Sequence, residues 1–370
     1  MSVEPGSAGY HAISSGFGTD DTVRGAVHPA VVGPWLTEAL GAPGWSNCQV
    51  RRIGTGRSNL TFRVDSAAGS VVLRRPPLHA VAVSAHDMGR EQRVLRALKS
   101  TPVPVPAVLA AADASGPLGV PCYVMELIDG VIAVHELPAG FAERPEQRHD
   151  LAHGLVDVLA ELHSVDPAGV GLADFGHPVG FLERQLRTWG RQLETWRDDR
   201  DWPVLTALAE SLRTQLPHSG PPAIVHGDYR IDNVVLDSVD PGRVRAVLDW
   251  EMATLGDPLT DLGLMMVTWQ QAEENDERWR GAGVLPTPTG ISGFPTRVEI
   301  ATHYAQRSGR SIRELPWYIA LGCFKMAVVV VGILSRARTG AVPSDTATGL
   351  ERGVDPLALL GGHVLRTGRY

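Results

Sequence analysis

Apolar residues change their spacing partway along the chain. Val50 to Ile53, Leu60 to Val64, Ser70 to Arg74 and Val120 to Leu127 are short runs rich in β-branched and aromatic residues, separated by glycine, asparagine and proline, and they predict strands. Two helical stretches lie among them. Pro29 to Leu40 stops at Gly41, and Met88 to Leu98 stops before the proline-rich stretch Pro102 to Pro106, which cannot continue a helix. After Gly130 the period becomes helical. Leu151, Leu155, Val158, Leu159 and Leu162 form one stripe. Leu182, Leu186, Trp189, Leu193 and Trp196 form a second, with an aromatic face. Two brief strand-like runs, Ala223 to Val225 and Val244 to Leu248, interrupt this region. The expected class is α+β: a small antiparallel β lobe with one main helix, then a larger, mostly helical lobe.

A chain of 370 residues exceeds a single core. The division expected is a mobile tail over 1–27, a first lobe over 28–128 and a second over 129–370. The net charge of −7 argues against a nucleic-acid footprint, which needs a basic patch or stripe. Cys48, Cys122 and Cys323 are too few and too scattered for a disulfide framework or a zinc site, so a reducing, cytoplasmic setting is expected. The amino terminus has no apolar segment of a secretory signal. Ile319 to Leu334 is short for a membrane span and carries Lys325, so it reads as a buried helix of the second lobe.

The chemistry concentrates in Ile224 to Asn233, whose core is HGDYRIDN, and in Val247 to Glu251. An acid five residues before an amide, followed by a second acid after a strand, is the set that phosphoryl transfer uses. One carboxylate accepts the hydroxyl proton, while an amide oxygen and another carboxylate hold magnesium against phosphates. Glu91 falls on the apolar stripe of its helix between Met88 and Leu95, where a carboxylate needs a partner, and a cation on the neighbouring strand is the natural one. Gly54-Thr55-Gly56-Arg57-Ser58-Asn59 sits between two strands. A plain hairpin explains it equally well, but small residues there would also let backbone N–H groups approach phosphate oxygens, with Ser58 and Asn59 adding donors.

HGDYRIDN resembles the catalytic loop of the aminoglycoside phosphotransferase and choline kinase family, relatives of protein kinases. The resemblance implies a bilobal protein-kinase-like fold and the cofactors ATP and Mg2+. It makes Asp228 the base, Asn233 and Asp249 the metal ligands, and His226 a structural residue of the loop. Gly256-Asp257-Pro258-Leu259-Thr260-Asp261-Leu262 is also family-like, with Asp257 and Asp261 bracing the loop and capping a helix. Gly54, Gly56, Ser58 and Asn59 take the place of the phosphate-covering hairpin, and Glu126 and Ile128 that of the hinge whose backbone faces adenine. At the third-strand cation the sequence departs from the pattern, carrying Arg74 (or Arg75) where kinases usually have lysine. Arginine pairs phosphate oxygens bidentately, so positioning survives with a different geometry.

The strings ERQLRTW, VLRRPP and LDWEMATLGDPLTDLG resemble a subgroup that includes the kinase-like domain fused to some acyl-CoA dehydrogenases, which acts on hydroxyacyl-CoA compounds. A small-molecule hydroxyl, favoured as that of a CoA thioester, is therefore the expected acceptor. Arg184, Arg187 and Arg191 either attract CoA phosphates or form the solvated side of their helix. The alternatives are an aminoglycoside-type antibiotic kinase and a nucleotide-binding pseudokinase that serves as a regulatory or interaction module. No nucleic-acid or membrane partner is expected, and the oligomeric state is left open.

Overall fold

The computed structural model describes residues 26–53, 59–78, 87–196, 200–274, 277–282, 287–340 and 347–370. The chain divides into two compact units, interleaved along the sequence. The first runs to Val131 and also takes in Val234–Val239 and Val244–Glu251. The second holds Ile132–Asn233, Asp240–Arg243 and Met252–Tyr370. The second unit therefore lacks two segments that the simple division after residue 128 gives it.

The first unit is built on a five-stranded antiparallel sheet. Its strands are β1 (Gln49–Ile53), β2 (Leu60–Ser66), β3 (Gly69–Arg75), β4 (Val108–Ala112) and β5 (Cys122–Glu126), in spatial order β1-β2-β3-β5-β4. Helix α1 (Pro29–Leu40) ends on Gly41, which takes the left-handed conformation that lets a C-cap turn away. Its residues Val32 and Leu36 pack with Phe62, Val64, Val71, Leu73 and Val124. Side chains alternate across a strand, so Val72 and Arg74 must project to the opposite face from Val71 and Leu73. Helix α2 (Met88–Leu98), N-capped by the Asp87 side chain, buries Met88, Glu91, Val94, Leu95 and Leu98. A two-stranded hairpin, β7 (Val234–Leu236) with β8 (Val244–Val247), completes this unit. Gly130 lies so close to the Leu236 carbonyl that a Cβ would stand 2.3 Å from it, which admits only glycine there.

The second unit is mainly helical. It comprises α3 (Pro145–Ser164), α4 (Phe181–Trp196), α5 (Pro203–Thr214), α6 (Leu259–Thr268), α7 (Glu277–Ala282), α8 (Arg297–Ser308), α9 (Leu315–Arg338) and α10 (Val354–Thr367). A small ladder pairs β6 (Ala223–Val225) with β9 (Thr254–Gly256). Helix α9 packs on α4, α5, α6 and α10. It is long and apolar enough to cross a membrane by length and composition, yet 78% of its most apolar window is buried inside the protein, as a central core helix would be.

Candidate active site

The strand alternation settles which arginine is the buried cation. Arg74 projects toward α2, and its Nη1 donates to Glu91 Oε1 in an ion pair whose side chains are 8% and 1% exposed. Its Nη2 donates to Asp249 Oδ1 at 3.1 Å. Arg75 points the other way and gives its Nη1 to the Ala26 carbonyl at 2.7 Å. A guanidinium presents separate nitrogens in a planar fork, so one arginine spans two carboxylates that a single ammonium would serve less well. Burial pulls the Arg74 guanidinium down, but the carboxylates of Glu91 and Asp249 outweigh it and hold the group protonated. Burial pushes Glu91 up against the opposing pull of Arg74.

Asp249 follows β8 and has φ +63, the left-handed region that, glycine aside, short polar residues visit at lowest cost. Strained backbone of this kind gathers at functional positions held by their surroundings. Two residues on, Glu251 accepts from Asn59 Nδ2 at 3.2 Å. Asn59 is 2% exposed. Expected among the phosphate donors, it gives an N–H to a carboxylate of its own unit, as a buried amide must find a partner. Gly54, Gly56 and Ser58 lie outside the described residues.

At the end of β5, the Glu126 N–H donates to the Ala107 carbonyl at 3.0 Å, while its side chain accepts from the Ala107 N–H at 2.9 Å. The Glu126 N–H is therefore already engaged within its own unit. Ile128 follows in half-exposed, irregular chain.

In the second unit the motif forms a tight loop after β6. Asp261, in the first turn of α6, accepts from the His226 N–H at 2.6 Å and the Gly227 N–H at 2.8 Å. It also meets His163 Nε2 at 3.3 Å. Asp257 accepts from the Leu259 N–H at 3.1 Å and from the Tyr318 hydroxyl at 2.7 Å. Asp261 thus braces the loop and Asp257 the start of α6. Gly227 has φ +84, and a Cβ there would stand 2.7 Å from the Met252 carbonyl. His226 turns its Nδ1 to the Asp228 N–H at 3.2 Å.

Asn233 closes the loop. Its Nδ2 donates to the Asp228 carbonyl at 2.8 Å and to Asp228 Oδ2 at 3.0 Å. Both amide N–H bonds are then engaged on Asp228, and the amide oxygen, the atom a hard cation prefers, is left over. Burial raises the Asp228 carboxyl, but Arg230, Lys325 and His226 together bring it below the usual carboxylate range, so it is ionised. Arg230 Nε lies 3.5 Å from Asp228 Oδ1 and its Nη2 lies 3.0 Å from Asp232.

The motif did not disclose Lys325. It sits midway along α9, donates to the Gly227 carbonyl, and lies 5.4 Å above the Trp189 ring of α4. Its only sequence signal is being the one charged residue between Ile319 and Leu334. Of the three arginines singled out on α4, Arg184 is tied to the Val179 carbonyl. Arg187 and Arg191 line a hollow of about 540 Å³ with Arg213 of α5, over an apolar floor that includes Leu186 and Phe324. Glu183 and Glu194 line it too.

The model of a phosphotransferase enzyme family matches residues 49–294. Acyl-CoA dehydrogenase family member 11 of Gallus gallus is 33% identical over 314 residues, covering 84% of this chain and 39% of that protein. Family member 10 of Mus musculus is 30% identical over 314 residues, 85% of this chain and 29% of that one. The chain therefore spans between a quarter and two fifths of these relatives. A crystal structure from Ralstonia eutropha, of a protein assigned as an aminoglycoside phosphotransferase, superposes with a TM-score of 0.74 at 29% identity, covering 92% of this chain and 98% of that one. The Plasmodium vivax ethanolamine kinase superposes at 0.63 over 96% of this chain and 93% of its own, with 12% identity, a likeness of fold. The fold is protein-kinase-like.

Proposed function

This chain belongs to the phosphotransferase enzyme family, and from that premise we propose that it transfers the γ-phosphoryl group of ATP to a hydroxyl of a small molecule. In the reaction the acceptor oxygen bonds to the γ-phosphorus, the bond from that phosphorus to the bridging oxygen breaks, and ADP leaves. Asp228 receives the hydroxyl proton. The observation that carries the reading is the Asp228 carboxylate fixed by Asn233 and by a loop that Asp261 clamps. A base must be deprotonated and held still; the cations around Asp228 favour the first and the clamped loop the second.

Magnesium suits the residues present. The leftover amide oxygen of Asn233 and the carboxylate of Asp249 are hard donors, and few protein ligands are needed because this ion keeps water and phosphate oxygens. When bound, the ion would neutralise charge on the phosphates. Arg74, held by Glu91, is proposed to orient the nucleotide phosphates, with the Glu126 carbonyl and Ile128 toward the adenine. The favoured acceptor is a hydroxyacyl-CoA. Its support is the similarity to the acyl-CoA dehydrogenase relatives, together with the arginine-lined hollow on α4 and α5. A reducing, cytoplasmic setting belongs to the same proposal, supported by three buried free cysteines.

One observation favours a second reading. The Arg74–Asp249 ion pair occupies a carboxylate proposed for the metal, as a nucleotide-binding module without catalysis would allow. The test is a panel of hydroxyl metabolites, with hydroxyacyl-CoA compounds and aminoglycosides included, incubated with the protein and Mg·ATP and read by mass spectrometry. A phosphate gain on at least one acceptor is expected. ATP binding with no product across the panel would favour the second reading.

A further inference from the structure

Lys325 is an awkward residue for its position. It lies half-buried in a helix that is otherwise apolar from Ile319 to Leu334. Desolvating an ammonium is costly unless an anion or several acceptors compensate. Here the Nζ reaches one backbone carbonyl, that of Gly227, and the weak acceptor Sδ of Met252 at 3.8 Å. Among the described residues no carboxylate lies within ion-pair distance of it. An ammonium has three N–H groups, so its hydrogen-bonding capacity is not filled by the described residues.

Its surroundings say what would fill it. Gly227 immediately precedes Asp228, where a hydroxyl must arrive on the phosphotransferase reading. On the other side stands the Trp189 ring, and the guanidinium of Arg230 adds a second positive charge against Asp228. The groups whose charges act on Lys325 are Asp228, Asp261 and Arg230. Asp261 is already engaged with His226, Gly227 and His163, and Asp228 with Asn233 and Arg230. The position therefore presents a cation to any molecule placing its hydroxyl at Asp228. It would repel an ammonium there and attract an oxygen.

Resting on the phosphotransferase reading, we propose that Lys325 selects the acceptor: seated on the Gly227 carbonyl and over Trp189, its ammonium takes an acyl oxygen, carboxylate or thioester carbonyl, and disfavours amino alcohols. The site is thereby assigned to hydroxy acids or their thioesters rather than to cationic alcohols.

Three acceptors sharing one skeleton test it: 3-hydroxybutyrate, 3-hydroxybutyryl-CoA and 4-amino-2-butanol, each against wild type, Lys325→Met and Lys325→Arg. Methionine suits an apolar helix, and a thermal melt checks that each variant is folded. Binding by calorimetry in the presence of magnesium and a non-hydrolysable ATP analogue is measured alongside transfer. Wild type should bind at least one acyl probe more tightly than the amine. Lys325→Met should weaken that acyl probe about 10- to 100-fold, the scale of a charge-assisted hydrogen bond, in both Kd and KM. Its KM for ATP should stay within about threefold, and kcat compared on the acyl probe and the amine separates any loss at Asp228, common to both acceptors, from the loss of acyl binding. Lys325→Arg should recover most of the affinity. Which acyl probe prevails distinguishes the free acid from the thioester. Equal affinity of wild type and Lys325→Met for the acyl probes, an amine bound as tightly as the acyl compounds, a changed KM for ATP instead, or no binding of any probe would each overturn the assignment. Acyl binding that depends on Lys325 without transfer to any hydroxyl would leave it standing and count against the phosphotransferase reading.

Discussion

At the scale of single residues, the replacement of the usual strand lysine by Arg74 has a physical account. Its two terminal nitrogens go to different carboxylates, a nearly dry one on Glu91 and a partly exposed one on Asp249. A lysine could hold one of these well but not both. Arg74→Lys should therefore destabilise the protein by about 2 kcal/mol, and Arg74→Met by about 3–5 kcal/mol because Glu91 would be stranded. Urea unfolding measures both, and a lysine variant as stable as the parent would contradict this account of the fork. The sequence made Glu91 conspicuous, since a carboxylate on an apolar stripe demands a cation. It could not choose between Arg74 and Arg75 until strand direction was known, and Arg75 proves to serve the Ala26 carbonyl. Lys325 was unreadable as a site residue because nothing local marks a lysine in an apolar helix as reaching the Gly227 carbonyl beside Asp228.

Among elements, helices α1 and α2 coincide with the spans read from periodicity and caps, because Gly41 and the residues flanking Met88–Leu98 punctuate them strongly. Strand β4, Val108–Ala112, escaped that reading. Three of its five residues are alanine, which has little β preference, and it forms by pairing with β5. The catalytic loop shows the same division. Its motif is local, but its bracing comes from α6 through Asp261 and from α3 through His163, far away in sequence. His163 also meets the Tyr304 hydroxyl of α8 at 2.8 Å. Burial lowers the His163 pKa, and the neighbouring Asp261 only partly opposes it. A histidine depressed in the folded state takes up its proton more readily once unfolded, so its contribution to stability is full above the unfolded value near 6.5. That contribution falls as pH drops from there toward the folded pKa, by up to about 1.4 kcal/mol per pH unit. His163→Gln should lower stability at pH 8 yet flatten the dependence between pH 6.5 and 5. Chemical denaturation at several pH values checks this, and parallel curves for the two proteins would refute it.

For the molecule as a whole, the α+β class and the kinase-like fold were legible because sequence order mirrors architecture: strands first, helices after, with an unmistakable motif between Ala223 and Asp261. The interleaving of the two units was not. The β7–β8 hairpin is encoded beside the catalytic loop yet belongs with the first unit, a matter of long-range contacts that periodicity does not carry. One consequence is that the chain leaves and re-enters each unit around the residues proposed for catalysis: Asp228 and Asn233 stand in one, Asp249 in the other. The account as a whole depends on Asp228 acting as a base rather than as a structural carboxylate. Rapid-mixing measurement of phosphate transfer from γ-labelled ATP, comparing the parent with Asp228→Asn on whichever acceptor the panel yields, tests that dependence most directly. Transfer should fall about 100- to 10,000-fold, while calorimetric affinity for Mg·ATP stays within about threefold. Transfer that persists undiminished in Asp228→Asn would contradict the account.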